Sequence, residues 1–229
     1  MSDIRVKGFE DISFWREDEV GLIVIRSSST GRIRKQTLDE LMMAISTASI
    51  DSSVESIAIT GQNELFANEL VGWDKPGEML NSLRALASIV YSVEKPLYAI
   101  VNGDAIDIGY ELALLCDTVI SSPEVKLGFN REYMFAMAGS LTSSRFSRTE
   151  VKNALEGINC DYIFESTNLL GESKSLIQEN SSFKMVLKRK NRMRYIRETL
   201  GEEHLAILSR LNEENTQDVT KSKEKGVRN

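Results

Sequence analysis

An apolar run that stops at a small polar turn and restarts as an apolar segment with one carboxylate is the most constraining feature of this sequence. It occupies residues 95–117, KPLYAIVNGDAIDIGYELALLCD. The first run is typical of a buried strand, and the second, from about Asp107, fits a helix. On that helix Glu111 lies three residues after Ile108 and four before Leu115, so it shares a face with apolar residues. We expect this carboxylate to point inward or into a pocket, either as a structural ion pair or as a functional group.

Strands and helices alternate through the first half of the chain. Short β-branched runs predict strands at 21–26, 56–60, 97–101, 118–121 and 125–127. Apolar residues at helical spacing predict helices at 37–48, 77–93 and 109–116. Because no G-x-G-x-x-G motif follows a strand, this order favours stacked βαβ or ββα units over a nucleotide-binding doubly wound sheet.

The chain from Met137 onward is predicted to be helical. Its last two helices, 183–200 and 202–211, are expected to meet at Gly201, which suits a helix C-cap position. Beyond Asn212 the sequence is polar and charged without periodicity, which predicts a disordered tail.

Composition narrows the functional classes. With 229 residues, 41% of them hydrophobic, the chain can bury a full core. Cys116 and Cys160 lack the spacing of a metal site or a disulfide framework, which favours a reducing environment without a bound metal. No segment has the pattern of a signal peptide or a membrane span, so we expect a soluble, cytoplasmic protein without a membrane partner. A net charge of -6 argues against nucleic acid, and the single histidine, His204, is interpreted as a surface or packing residue.

Segment 95–117 resembles the enoyl-CoA hydratase/isomerase (crotonase) family, whose members typically read K-P-x-x-A-x-V-N-G-x-A-x-G-G-G-x-E-L-A-L-x-C-D. The matching residues are Lys95, Pro96, Ala99, Val101, Asn102, Gly103, Ala105, Gly109, Glu111, Leu112, Ala113, Leu114, Cys116 and Asp117. Outside this segment the resemblance extends from about Val20 to Leu211, with matching residues spaced more widely. It implies an α/β fold, a crotonase-like spiral of repeated ββα/βαβ units over 1–136, with a C-terminal helical region over 137–212 before the tail at 213–229. It also implies a homotrimer or a dimer of trimers.

The resemblance implies chemistry on an acyl-CoA thioester, with coenzyme A as part of the substrate and no permanently bound cofactor. Two backbone N–H groups would form an oxyanion hole for the thioester oxygen. Gapless alignment places one donor at Asn68, and a one-residue slip gives that position to Ala67. The other falls at Ile108, because the family's G-G-G turn is here Asp107-Ile108-Gly109, and Gly109 is a further candidate for the hole. The added side chains predict a narrowed hole.

Glu111 matches the family's first catalytic glutamate, whereas the second is missing. In the family it ends the motif F-G-x-P-E, and Arg131 occupies that position here, followed by Glu132. Arg131 could pair with Glu111 or bind an acyl carboxylate, and Glu132 could substitute if the turn shifts by one residue. All three residues are therefore candidates for the catalytic set.

Other residues are candidates for substrate contact. Phe66, Trp73 and Asp107 could line an acyl or adenine pocket, although aromatic residues near a loop more often pack in the core. The family's P-G-x-G-G motif is replaced by AGSLT at 138–142, before a matching Arg145, which predicts a reshaped acyl pocket. A basic run could approach the coenzyme A phosphates or could form a solvated face. It comprises Lys184, Lys188, Arg189, Lys190, Arg192, Arg194 and Arg197.

Three functions fit these residues. The leading one is an acyl-CoA hydratase or isomerase with Glu111 as the acid/base. The second is another reaction of a CoA thioester, such as hydrolysis, decarboxylation or C–C cleavage, with Arg131 binding a substrate carboxylate. The third is a catalytically weak or inactive binding or structural protein that has kept the fold.

Overall fold

A six-stranded sheet forms the centre of the molecule, which a computed structural model describes at residues 8–26, 31–146, 149–156, 159–180 and 183–226. In spatial order its strands are β1 (Ile12–Glu17), β2 (Val20–Ile25), β4 (Ser56–Gly61), β6 (Leu97–Val101), β8 (Thr118–Ser121) and β11 (Tyr162–Ile163). The β1–β2 pair is antiparallel, and each later pair is parallel. Strands β4 and β6 are buried along their whole length, as expected for continuous apolar runs in a parallel sheet.

Helices cover both faces of this sheet. Three of them pack on one face: α1 (Lys35–Ile50), α2 (Pro76–Ser92) and α3 (Ile108–Leu115). The other face is partly covered by α5 (Leu169–Asn180). Because successive residues of a strand point to opposite faces, Ile57 and Ile59 join the first core, while Ala58 packs with Leu169 in the second. The predicted α/β class and the alternation of strands with helices are confirmed.

Two small sheets bring together the loops that follow the central strands. In one, β3 (Arg32–Ile33) pairs with β5 (Glu69–Leu70). In the other, β9 (Lys126–Gly128) lies between β7 (Ala105–Ile106) and β10 (Lys152–Asn153). The loop after β9 leads to a short helix, α4 (Gly139–Thr142), followed by 3-10 turns at Ser143–Arg145 and Ser166–Asn168.

Strands β10 and β11 lie beyond Met137, where the sequence predicts only helices. That prediction is wrong because a two-residue strand is too short to show an alternating pattern. Both strands join sheets built from the first part of the chain, so residues 137–212 also contribute to the sheet region.

A single helix, α6 (Phe183–Gly226), replaces the two predicted C-terminal helices. Gly201 lies inside it, since a glycine costs a helix only about 1 kcal/mol and the flanking Leu200 and Ile207 are buried. The helix also continues over 213–226, where the sequence predicts disorder. Extension of an existing helix avoids the cost of nucleation, and this segment contains three Glu and three Lys, which are good helix formers. Residues 227–229 lie outside the described part, within which no helix is long and apolar enough to cross a membrane.

Candidate active site

The site begins at the sharp turn into α3. Asp107 has φ 55° and ψ -112°, a conformation that favours glycine, at a position where the family pattern has glycine. Its carboxylate accepts hydrogen bonds from the Asn130 backbone N–H (2.7 Å) and side-chain amide (2.8 Å). The Asp107 carboxylate therefore holds the turn against the loop that carries Asn130.

Glu111, in the first turn of α3, is completely buried, as its position on the apolar face predicts. Four groups donate to its carboxylate. The Tyr133 hydroxyl lies 2.6 Å from Oε2, and the N–H groups of Met137 and Gly139 lie 2.6 and 2.7 Å from Oε1. The Ala136 N–H is shared between the two oxygens, at 3.0 and 3.1 Å. This dense set of donors satisfies the carboxylate without a cation.

Burial raises the pKa of Glu111 to about 7, and the nearby charge of Glu203 adds to the rise. The hydrogen bonds from Tyr133, Met137 and Ala136 act in the opposite direction, because they favour the ionised form. The pKa of Tyr133 is raised well above its ordinary value by burial and by Glu111, so its hydroxyl keeps its proton. Glu111 is thus a buried carboxyl able to exchange a proton near neutral pH.

Two residues of α6 contact the same loop from the other side. The Glu203 carboxylate accepts hydrogen bonds from the N–H groups of Ala138 (2.7 Å) and Ser140 (3.0 Å) and from the Ser140 hydroxyl (2.5 Å). His204 lies 2.8 Å from the Ala136 carbonyl, and because a carbonyl only accepts, His204 Nε2 must donate. Its other ring nitrogen lies 3.4 Å from Arg84, so His204 is a buried packing residue.

The candidate oxyanion donors lie close together but are already engaged or enclosed. The Asn68 N–H donates to the Gly31 carbonyl at 2.8 Å. Ala67 is fully buried, and its carbonyl lies so close to Gly109 that a Cβ there would come within 1.6 Å of it. Ile108 is 2% exposed. The loop after β4 therefore packs directly on the first turn of α3. An oxyanion hole between them stays a prediction.

An open cavity of about 820 Å³ lies on the other side of that loop, at the carboxyl ends of β2, β4 and β6. It does not include Glu111 or Ile108 among its lining residues. Apolar side chains form part of the wall: Trp15, Leu22, Val24, Ile100, Leu169 and Leu170. Polar residues around it include Asn68, Asn102 and three carboxylates, Glu64, Asp104 and Glu124. In the described part of the chain no cluster of three or more His, Cys, Asp or Glu residues could hold a metal ion.

Residues 17–158 match the sequence profile of "Enoyl-CoA hydratase/isomerase". The chain belongs to this family. Relatives of its sequence include a 2,3-dehydroadipyl-CoA hydratase of Escherichia coli, 28% identical over 144 residues that cover 60% of this chain and 56% of the relative. A crotonyl-CoA hydratase of Syntrophomonas wolfei is 28% identical over 133 residues, 52% of this chain and 50% of the relative. The chain thus spans about half the length of these curated relatives.

Solved structures of enoyl-CoA hydratases share the fold of this divergent family member. The enzyme from Mycobacterium avium subsp. paratuberculosis superimposes with a TM-score of 0.74 at 16% identity, covering 87% of this chain and 92% of that one. The enzyme from Bacillus halodurans gives 0.73 at 14% identity, with coverage of 85% and 92%. The expected crotonase-like fold is confirmed.

Neither sequence candidate for the family's second glutamate position is bonded to Glu111. Arg131 and Glu132 are both exposed, and the hydrogen bonds of Glu111 come instead from Tyr133 and the backbone of 136–139. The structure therefore does not bring together the three candidate catalytic residues.

The candidate substrate contacts lie in different surroundings, and only Asp107 is bonded to Glu111, through its carbonyl, which accepts from the Glu111 N–H at 2.8 Å. Phe66 is completely buried in the core, and Trp73 is 36% exposed. Arg189, from the basic run, is buried and forms an ion pair with Asp117, while it also donates to the Val93 and Lys95 carbonyls. Its role at that position is structural.

Sequence reasoning missed Tyr133, Glu203 and the backbone donors at 136–140. Tyr133 follows the LGFNRE stretch closely enough to be suspected, because that loop must return past α3. Glu203 carries no comparable signal, since it lies on a long amphipathic helix with many glutamates. Only the packing of α6 against the loop identifies it.

Proposed function

We propose that this family member moves a proton within an acyl-CoA thioester, as an isomerase does, with Glu111 as its single acid/base. The observation that carries the proposal is a buried carboxyl whose pKa, about 7, allows it to accept and return a proton near neutral pH. Hydration of an enoyl thioester benefits from a second carboxylate, so that one carboxylate can orient or deprotonate the attacking water while the other handles the proton at the α-carbon. Arg131 and Glu132, the candidates for that position, lie at the surface, and the Glu203 carboxylate is held by the N–H groups of Ala138 and Ser140, which favours the one-base reaction.

The reaction conserves atoms and regenerates the base. Glu111 takes a proton from the carbon next to the thioester carbonyl, and the electron pair moves to the thioester oxygen. The N–H of Ile108, at the start of α3, is the candidate donor to the enolate oxygen. Glu111 then returns the proton to another carbon, and the double bond moves. Because Glu111 is completely buried, substrate entry requires segment 133–139 to move aside.

An assay with a 3-enoyl-CoA tests this proposal. Migration of the double bond into conjugation is followed by the rise in conjugated-thioester absorbance, and deuterium uptake from D2O is followed by NMR. Glu111→Gln keeps the size of the side chain and removes the base, so turnover should fall at least about 100-fold while calorimetry still detects acyl-CoA binding. Glu179→Gln, an exposed change on α5, is the matched control and should keep full turnover. Equal turnover in the two variants would remove Glu111 from the mechanism.

A binding or structural role without catalysis is the second candidate, and it is favoured by a specific observation. The Asn68 N–H is already bonded to the Gly31 carbonyl, and the 820 Å³ cavity beside Asn68 is not lined by Glu111. This role predicts no turnover of either a 3-enoyl-CoA or crotonyl-CoA. Loss of the crotonyl-CoA absorbance would instead indicate hydration. The trimeric assembly and the cytoplasmic location stay predictions.

A further inference from the structure

Segment 136–140 binds two buried carboxylates through alternating parts of its backbone. The N–H groups of Ala136, Met137 and Gly139 bond to Glu111, whereas those at 138 and 140 bond to Glu203. All five N–H groups of the segment are therefore used by these two side chains. Any displacement of Glu203 must shift the donors of Glu111, because they belong to one short stretch of backbone.

Ala138 lies in the middle of the segment, and its N–H points to Glu203 while the N–H groups before and after it point to Glu111. It lies in the left-handed region, with φ 67° and ψ 33°, an uncommon conformation for a residue with a Cβ. The family pattern has proline at this position. Proline has no N–H to donate and its ring holds φ near -65°, so it could satisfy neither requirement. The change to alanine and the presence of Glu203 thus complement each other.

Holding this loop with a second buried carboxylate costs free energy, because its charge lies close to that of Glu111. Two like charges in a buried region raise each other's cost of ionisation, and a neutral amide could accept from the same N–H groups. The described ion pairs include none to Glu203, whose bonds come from Ala138 and Ser140. The pKa of Glu203 is itself raised, by burial first. Anchoring the loop does not by itself explain a charge beside Glu111.

We propose that Glu203 is a positioning residue for Glu111, acting through segment 136–140, which both carboxylates bind. Glu203 fixes the far side of the segment, orients the donors of Glu111, and with its charge sets how firmly Glu111 holds a proton. The inference rests on the proposed function in taking Glu111 as the acid/base. It does not depend on which acyl-CoA is the substrate.

The charged and titratable groups around this pair come from several elements. Tyr133 donates to Glu111, and His204 donates to the segment at Ala136 while its other nitrogen faces Arg84. Glu202, the exposed neighbour of Glu203 on α6, adds a weaker repulsion to it. Removal of the Glu203 charge should therefore lower the midpoint at which Glu111 titrates, whereas removal of the Glu202 charge should leave it nearly unchanged.

Carboxyl-carbon NMR of the full chain, labelled with 13C at glutamate, measures this midpoint directly. The Glu111 resonance is identified by its loss in Glu111→Gln. In Glu203→Gln the midpoint should fall by about one pH unit, and in Glu202→Gln, the matched control, it should stay within a few tenths. If Glu203→Gln does not fold, Ser140→Ala replaces it. Loss of the hydroxyl donor raises the proton affinity of Glu203, so the Glu111 midpoint should move the same way by a smaller amount.

The pH profile of kcat/KM with a 3-enoyl-CoA separates this inference from the proposed function. A midpoint shift confined to the Glu203 and Ser140 variants supports the positioning role, even if the wild type has no turnover and the proposed function fails. If the wild type turns over a 3-enoyl-CoA, but the Glu203 and Ser140 variants shift neither the Glu111 midpoint nor the pH profile of kcat/KM, the positioning role is overturned and the proposed function stands. Equal shifts in Glu203→Gln and Glu202→Gln also overturn it, because they would show a general effect of helix charge.

Discussion

The two sides of the loop after β4 differ sharply in packing. On one side Ala67 packs against Gly109 of α3. Glu111 lies on the same helix, and both of its carboxylate oxygens accept hydrogen bonds. On the other side Asn68 borders an open cavity of about 820 Å³. The proposed function places its acid/base, Glu111, on the closed side. This chain has therefore filled the place where family chemistry is expected and left open a neighbouring space.

The charges of the two sides differ as well. The closed side holds Glu111 among hydrogen-bond donors, with Glu203 behind the same loop. The open side has three carboxylates, Glu64, Asp104 and Glu124, and these disfavour the phosphates of coenzyme A. An open cavity is therefore not by itself the better candidate for acyl-CoA chemistry. For the proposed function, the closed side requires segment 133–139 to move before a substrate can reach Glu111.

The largest expected effect comes from filling the contact between Ala67 and α3. In Gly109→Ala the new Cβ would lie 1.6 Å from the Ala67 carbonyl oxygen, a backbone atom that cannot rotate away. We expect the free energy of unfolding to fall by at least about 3 kcal/mol, as measured by urea denaturation. Gly201→Ala is the matched control. It meets open space inside α6 and should gain about 1 kcal/mol from helix propensity. A Gly109→Ala protein as stable as the wild type would show that the closed side is not tightly packed.

The next effect is the pH dependence of stability on the closed side. The pKa of Glu111 rises to about 7 on folding from an ordinary value of 4.5, so between these values the folded state binds more protons than the unfolded state. Stability from this group is complete below about pH 4.5 and is lost as the pH rises through 7, by an amount on the order of 3 kcal/mol. His204, whose pKa is lowered by burial, acts in the opposite direction.

The contribution of His204 to the free energy of unfolding is common to the wild type and Glu111→Gln. It therefore cancels when the two free energies are subtracted. Urea denaturation at several pH values from 5 to 8 should show the free energy of unfolding of the wild type falling relative to that of the variant as the pH rises. A difference that is constant, or that rises with pH, would contradict a raised pKa at Glu111.

The sequence predicts the α3 half of this site far better than the loop half. The inward position of Glu111 follows from local periodicity, which residues 108–115 display on their own. The conformation of Asp107 could not be predicted, because a positive φ is normally adopted by glycine. It also depends on hydrogen bonds from Asn130, a residue of a different loop. Glu203 depends on the docking of α6 on that loop, and helix periodicity does not specify which loop a helix face will meet. The gapless register at Arg131 and Glu132 identified the missing glutamate but not the surface location of both residues.

The smallest expected effect lies on the open side. Val24→Leu adds one methylene group at the wall of the cavity, where there is room for it, so the free energy of unfolding should change by less than about 0.5 kcal/mol. Ala113→Val enlarges a completely buried residue of α3 and should cost about 1–3 kcal/mol, because the packed core has no space for the added methyl groups. Urea denaturation of the two variants compares the packing of the two sides directly. Equal losses would mean that the cavity closes in solution, and the contrast in packing between the closed side and the open side would then be lost.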